Sequence, residues 1–116
     1  MPRSQPERRR FPRFPSDHAL LLKKVGDDGL AAPARTLELS AGGCKLVHDT
    51  SIGVGSNVEL VISAGDRSIR ALGRVIYELP LRSARFQVGV EFLRVAAEDH
   101  EALAALLSER LTSPTT

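Results

Sequence analysis

VELVISAGDRSIRALGRVIYE, residues 58–78, decides the fold. Val58, Leu60 and Ile62 alternate with Glu59, Val61 and Ser63. Ile69, Ala71, Gly73, Val75 and Tyr77 alternate with Arg70, Leu72, Arg74, Ile76 and Glu78. A period of two places one set on each face of a strand, so both runs read as half-buried strands. Gly65-Asp66 between them is a turn signal.

The same pattern extends outward. In Thr36–Ser40, Leu37 and Leu39 share one face, and Glu38 and Ser40 the other. Phe86, Val88, Val90 and Phe92 alternate with Gln87, Gly89 and Glu91. Cys44 to His48 reads as a strand after the Gly42-Gly43 turn. His18 to Val25 is apolar at Leu20, Leu21 and Leu22, with its facing open. Turns are expected at Gly26-Asp-Asp-Gly29, at Gly53 to Asn57 and at Gly65-Asp66. Short strands at this spacing predict an antiparallel sheet closed into a small barrel, which removes exposed strand edges. The period then changes. Leu103, Leu106, Leu107 and Leu111 form one helical stripe, with Glu98, Asp99 and Glu101 near its start and Arg110 near its end, as the helix dipole favours. This helix is expected to plug or flank the barrel.

A chain of 116 residues suits one domain, and 42% hydrophobic residues favour a folded globule over a disordered chain. Aromatics are only 4%, with no Trp, so the core must be aliphatic. The one cysteine, Cys44, cannot form an internal disulfide, which fits a reducing cytosol. The start shows no apolar signal-peptide region, and no apolar run approaches the ~20 residues that span a bilayer. These features predict a soluble, cytoplasmic protein. His18, His48 and His100 are scattered, so no zinc spacing is present and no metal is expected. No activated nucleophile, phosphate loop or dinucleotide fingerprint occurs, so no enzyme activity is expected.

The net charge of +2 is unevenly spread. Residues 1–13 hold five Arg and one Glu, so +4 sits there and the other 103 residues carry −2. Four arginines, Arg8, Arg9, Arg10 and Arg13, surround Phe11-Pro12. Residues 1–14 are expected as a flexible basic arm, residues 15–111 as barrel plus helix, and residues 112–116 as a disordered tail. Such an arm points to an anionic partner.

Glu38-Leu-Ser-Ala-Gly-Gly43 supplies the other half of a site. Glycine permits positive φ and close backbone approach. Ser40 offers a hydroxyl, and Glu38 a carboxylate on the same strand face. Arginine grips phosphate bidentately and stacks on flat bases. Arginines for phosphate, with an acidic acceptor for a base edge, outline a nucleotide site.

At this point the sequence resembles PilZ domains. Arg9 and Arg13 match the RxxxR motif of that family, and Glu38-Leu-Ser40-Ala-Gly-Gly43 its (D/N)xSxxG motif, with 24 residues between them. Gly89-Val-Glu-Phe92 is similar to the end of the last PilZ strand. The resemblance covers roughly residues 7–110. It implies a six-stranded antiparallel barrel with a C-terminal helix that binds cyclic di-GMP, a bacterial second messenger, and signals through a protein effector. It implies ligand contacts from Arg9 and Arg13 and from Glu38, Ser40, Gly42 and Gly43, and a role for Arg8 in binding a stacked ligand dimer. No cofactor is implied beyond that ligand. Glu38 departs from the family's Asp or Asn by one methylene, enough to spoil a short charge-assisted hydrogen bond. Two other readings stay open. One is a ligand-independent adaptor, supported by Glu38. The other is a small-barrel nucleic-acid binder, whose affinity would fall steeply with salt but which has only Phe11 and Phe14 near its arginines for stacking.

Overall fold

The computed structural model describes residues 12–26 and 31–112, with side chains as far as residue 108. Among the described residues, seven strands precede one helix: β1 (Phe14–Pro15), β2 (Ala19–Lys24), β3 (Ala32–Ser40), β4 (Gly43–His48), β5 (Asn57–Ala64), β6 (Arg67–Pro80) and β7 (Phe86–Val95). A 3₁₀ turn, Ala97–Asp99, leads into α1 (His100–Thr112).

The deciding stretch forms β5 and β6. Ala64 pairs with Arg67 across the two-residue turn Gly65-Asp66. Gly65 has φ +68°, a conformation that suits glycine and matches the twist of a tight hairpin. All pairings are antiparallel, and six strands close in the cyclic order β3–β2–β5–β6–β7–β4 and back to β3. The strand β6 is long enough to pair with β5 and, through residues 71–80, with β7. The seventh strand, β1, pairs with β3 beside Leu39 and Glu38. It continues the edge that β2 occupies further along, after a break at residues 16–18. A buried knot fills that break. The Ser16 Oγ lies 2.6 Å from both Thr36 Oγ1 and His18 Nδ1, and the His18 N–H donates to Thr36 Oγ1 at 2.8 Å.

The barrel interior is aliphatic. Leu46, Val58, Ile62, Ile69, Val75 and Val88 are each 0% exposed. Each such side chain contributes roughly 1.5–3 kcal/mol on burial, so the core holds without Trp. The helix α1 joins this core through Ala102 and Leu103, with Leu106 and Leu107 packed at its margin. No helix among the described residues is long and apolar enough to cross a membrane.

Three bulges break the simple alternation. Each slips one extra residue into a strand and turns it outward. They fall at Leu37, Ile76 and Leu93, which are exposed. The even alternation expected of Thr36–Ser40 therefore fails at one place. Thr36 and Leu39 face inward, and Leu37 does not share the Leu39 face. Likewise Tyr77 does not share the inward face of Val75. The extra residue Ile76 turns it outward, opposite Gly89.

Asp99 anchors the start of the helix. The Arg70 N–H donates to Asp99 Oδ2 at 2.9 Å and Arg70 Nε to the same oxygen at 3.3 Å, while Arg70 Nη2 donates to Glu98 at 2.8 Å. The Arg70 backbone N–H, helped by the Arg70 guanidinium and by Arg67, holds the Asp99 carboxyl below its ordinary 3.8 against the opposing effect of partial burial. A lowered value means stability that is fully present above the ordinary pKa and lost as pH falls through the lowered one. Asp99→Asn is therefore expected to lower the melting temperature at pH 7. In a series of melts at decreasing pH, the gap to wild type should close below the ordinary Asp value. A gap independent of pH would mean that the carboxylate charge is not the anchor.

Candidate functional site

The outer face of four adjacent strands, β3, β4, β7 and β6, carries two rows of facing residues. One row runs Glu38, Lys45, Gly89, Tyr77. The next runs Ser40, Gly43, Glu91, Arg74. Each row contains one glycine, Gly89 in the first and Gly43 in the second. The face holds an open cleft of about 460 Å³.

The two glycines are required by contact rather than by φ. A Cβ on Gly43 would lie 2.2 Å from the Val90 carbonyl oxygen and 3.1 Å from Glu91 Cα. Both are backbone atoms of β7. A Cβ on Gly89 would lie 2.1 Å from the Tyr77 ring, which lies across it. Of the two freedoms expected of glycine, Gly43 uses close approach; its φ is not positive.

Ser40 closes the turn between β3 and β4. Its hydroxyl accepts from the Gly42 N–H at 3.1 Å and donates to the Gly43 carbonyl at 3.3 Å. The Gly42 carbonyl accepts from the Phe92 N–H at 2.8 Å, which ties the turn to β7. Ser40 and Gly42 thus position the backbone of the cleft wall. Glu38 stands beside them between two cations. Its carboxylate lies 3.8 Å from Arg13 Nη1 and 3.5 Å from Lys45 Nζ. Arg13 arrives there because β1 pairs Phe14 with Leu39, which sets Arg13 one step further on, beside Ser40. At the far side Arg74 Nε lies 3.5 Å from Glu91 Oε2. Cys44 lies in the floor, and burial pushes its thiol up to about 12, so it offers no thiolate at neutral pH.

Of the residues expected from sequence, Arg13, Glu38, Ser40, Gly42 and Gly43 meet at this one cleft. Arg8 and Arg9, with Arg10, lie outside the described residues. Sequence reasoning missed Lys45, Tyr77, Glu91 and Arg74. Tyr77 enters only through the bulge at Ile76, and the others through the neighbouring of β4, β7 and β6. Gly89 was visible within Gly89-Val-Glu-Phe92, though without a place in the site. Among the described residues, no group of three His, Cys, Asp or Glu could hold a metal ion.

Cations and carboxylates around a hollow with an aromatic wall suit a ligand that is both anionic and rich in hydrogen-bond donors. A family model described as PilZ domain matches residues 7–109. Comparison with curated proteins gives no match. Among solved structures, the chain is similar to the Bacillus subtilis inhibitor of motility MotI, with TM-score 0.74 and 21% identity over 97% of this chain and 58% of that one. It is similar to the PilZ domain of YcgR from Escherichia coli, solved with cyclic di-GMP, with TM-score 0.68 and 16% identity over 90% of this chain and 92% of that one. It is also similar to MrkH of K. pneumonia in complex with cyclic di-GMP, with TM-score 0.69 and 18% identity over 91% of this chain and 54% of that one. The chain thus spans little more than half the length of the MotI and MrkH chains.

Proposed function

The chain belongs to the PilZ domain family, and from that premise we propose that it is a cytoplasmic receptor for cyclic di-GMP that signals through a partner protein. The observation that carries this reading is the meeting of Arg13 with Glu38, Ser40, Gly42 and Gly43 at one cleft, from motifs 24 residues apart in sequence.

The chemistry follows from the side chains. Arg9 and Arg13 take phosphate and the face of a base, since guanidinium is always charged, planar and forked. Glu38 accepts N–H donors from a guanine edge. Lys45 beside it neutralises the carboxylate so that a dianion can approach. Tyr77 gives the cleft a flat wall. Ligand charge offsets the mutual repulsion of Arg8, Arg9, Arg10 and Arg13 and draws that segment over the cleft. Ordering it costs free energy, so affinity is moderate for the number of contacts. The altered surface then engages or releases the partner, a population shift that needs no catalysis.

A second reading, a ligand-independent adaptor, is favoured by one observation: the Glu38 carboxylate has two cations of the chain itself as partners, Arg13 and Lys45. Titration calorimetry of cyclic di-GMP into wild type and Glu38→Asp separates the two. We expect micromolar binding by wild type, tightened about 10-fold in Glu38→Asp, because the shorter side chain restores one charge-assisted hydrogen bond. No heat and no competition by wild type, with binding regained in Glu38→Asp, would establish the adaptor instead.

A further inference from the structure

Cyclic di-GMP carries two guanines and two phosphates related by a two-fold axis. A cleft that reads both guanines therefore needs two of whatever reads one. We infer that Glu91, held by Arg74, is the second guanine reader, and that it sets a preference for a ligand with two guanines over one with guanine and adenine. This rests on the cyclic di-GMP reading above.

The argument starts from a charge puzzle. Among the described residues, two cations, Arg13 and Lys45, and two carboxylates, Glu38 and Glu91, line the cleft, with Arg74 against Glu91 from outside it. Carboxylates repel phosphate, so their presence calls for another partner. Guanine provides one. Its Watson–Crick edge presents N1–H and the 2-amino group side by side, and one carboxylate accepts both. Adenine places an acceptor nitrogen where guanine has N1–H, and that nitrogen repels a carboxylate. Two carboxylates thus match two guanines.

Their placement also fits. Glu38 lies on β3, while Glu91 lies two strands away on β7, in the neighbouring row opposite Gly43. At ~4.8 Å per strand and ~3.4 Å per residue, the two stand roughly 12 Å apart across the cleft. Between them lies the open cleft of about 460 Å³, which leaves room for the body of a ligand. Glu91 also has spare capacity. Its side chain is 45% exposed, and among the described residues its one ion pair is the 3.5 Å contact with Arg74. An exposed cross-strand pair of that length contributes little to stability. Arg74 is a positioning residue, which neutralises Glu91 and holds it at the edge of the cleft.

The test is titration of the full chain and of Glu91→Gln with cyclic di-GMP, the hybrid cyclic GMP–AMP and cyclic di-AMP, with thermal melts of both proteins. Wild type is expected to prefer cyclic di-GMP over the hybrid by ~10- to 200-fold, the worth of a lost hydrogen bond to a charged group. Glu91→Gln should melt as wild type, weaken cyclic di-GMP, leave the hybrid unchanged or tighter, and so shrink the preference about 10-fold. A preference unchanged in Glu91→Gln, with cyclic di-GMP still bound, would overturn the role of Glu91 alone. A wild type that binds none of the three would overturn the cyclic di-GMP reading and this inference with it.

Discussion

Arg13→Ala is expected to weaken cyclic di-GMP binding by at least ~100-fold while leaving the melting temperature unchanged, because two charge-assisted hydrogen bonds of roughly 1.5–3 kcal/mol each are lost. The structure explains why one side chain carries so much. Arg13 sits at the entrance to the cleft, fixed by the pairing of Phe14 with Leu39. Its side chain is 44% exposed, and its contact with Glu38 spans 3.8 Å, too long for a hydrogen bond. An exposed pair of this kind is worth about 0–1 kcal/mol, so exchanging it for a phosphate costs little. For the same reason its removal leaves the fold intact. Arg13→Lys should fall between the two, since ammonium keeps the charge and loses the fork. Titration of the three proteins at one ionic strength decides the matter. Wild-type affinity in Arg13→Ala would mean that the phosphates are held elsewhere.

Part of this cleft is legible in the sequence. Arg13, Glu38, Ser40, Gly42 and Gly43 are marked by residue type and spacing, which are local properties. The strands were legible where alternation is unbroken, as in Val58 to Ser63, whose burial follows the pattern. The rest depends on events that leave no local mark. A bulge is one extra residue, and at Leu37, Ile76 and Leu93 that residue is apolar, so the run still reads as strand while its facing reverses. This is why Leu37 was expected beside Leu39 and Tyr77 beside Val75. Thr36 became a buried polar residue for the same reason. Its hydroxyl is satisfied by Ser16 and by the His18 N–H, partners 20 and 18 residues away, which no periodicity reveals. Lys45, Glu91 and Arg74 look like ordinary solvent-facing charges in their own strands. Lys45 and Glu91 become cleft residues, with Arg74 against Glu91, only because β7 lies between β4 and β6.

The second large effect is expected at Gly43→Ala, and its interpretation depends on a matched control. The added Cβ would lie 2.2 Å from the Val90 carbonyl oxygen, a backbone atom that no rotamer change can move. The strands β4 and β7 must therefore part, at an overpacking cost of about 1–3 kcal/mol. The parting occurs where the Gly42 carbonyl meets the Phe92 N–H and where Ser40 holds the turn. It shifts Glu91 and the Glu38–Ser40 wall relative to each other. Affinity for cyclic di-GMP should fall at least ~10-fold, the loss of one charge-assisted hydrogen bond. Ile62→Ala is the matched control: Ile62 is 0% exposed on β5, which pairs with neither β4 nor β7, and its truncation leaves a cavity in the core. Both variants should melt lower than wild type, but Ile62→Ala should keep its affinity at temperatures where it remains folded. A fall in affinity in Gly43→Ala alone locates the ligand on the outer face over β4 and β7. Equal affinities in the two, with both destabilised, would mean that the hollow beside Gly43 is only a seam between strands and that the ligand binds elsewhere.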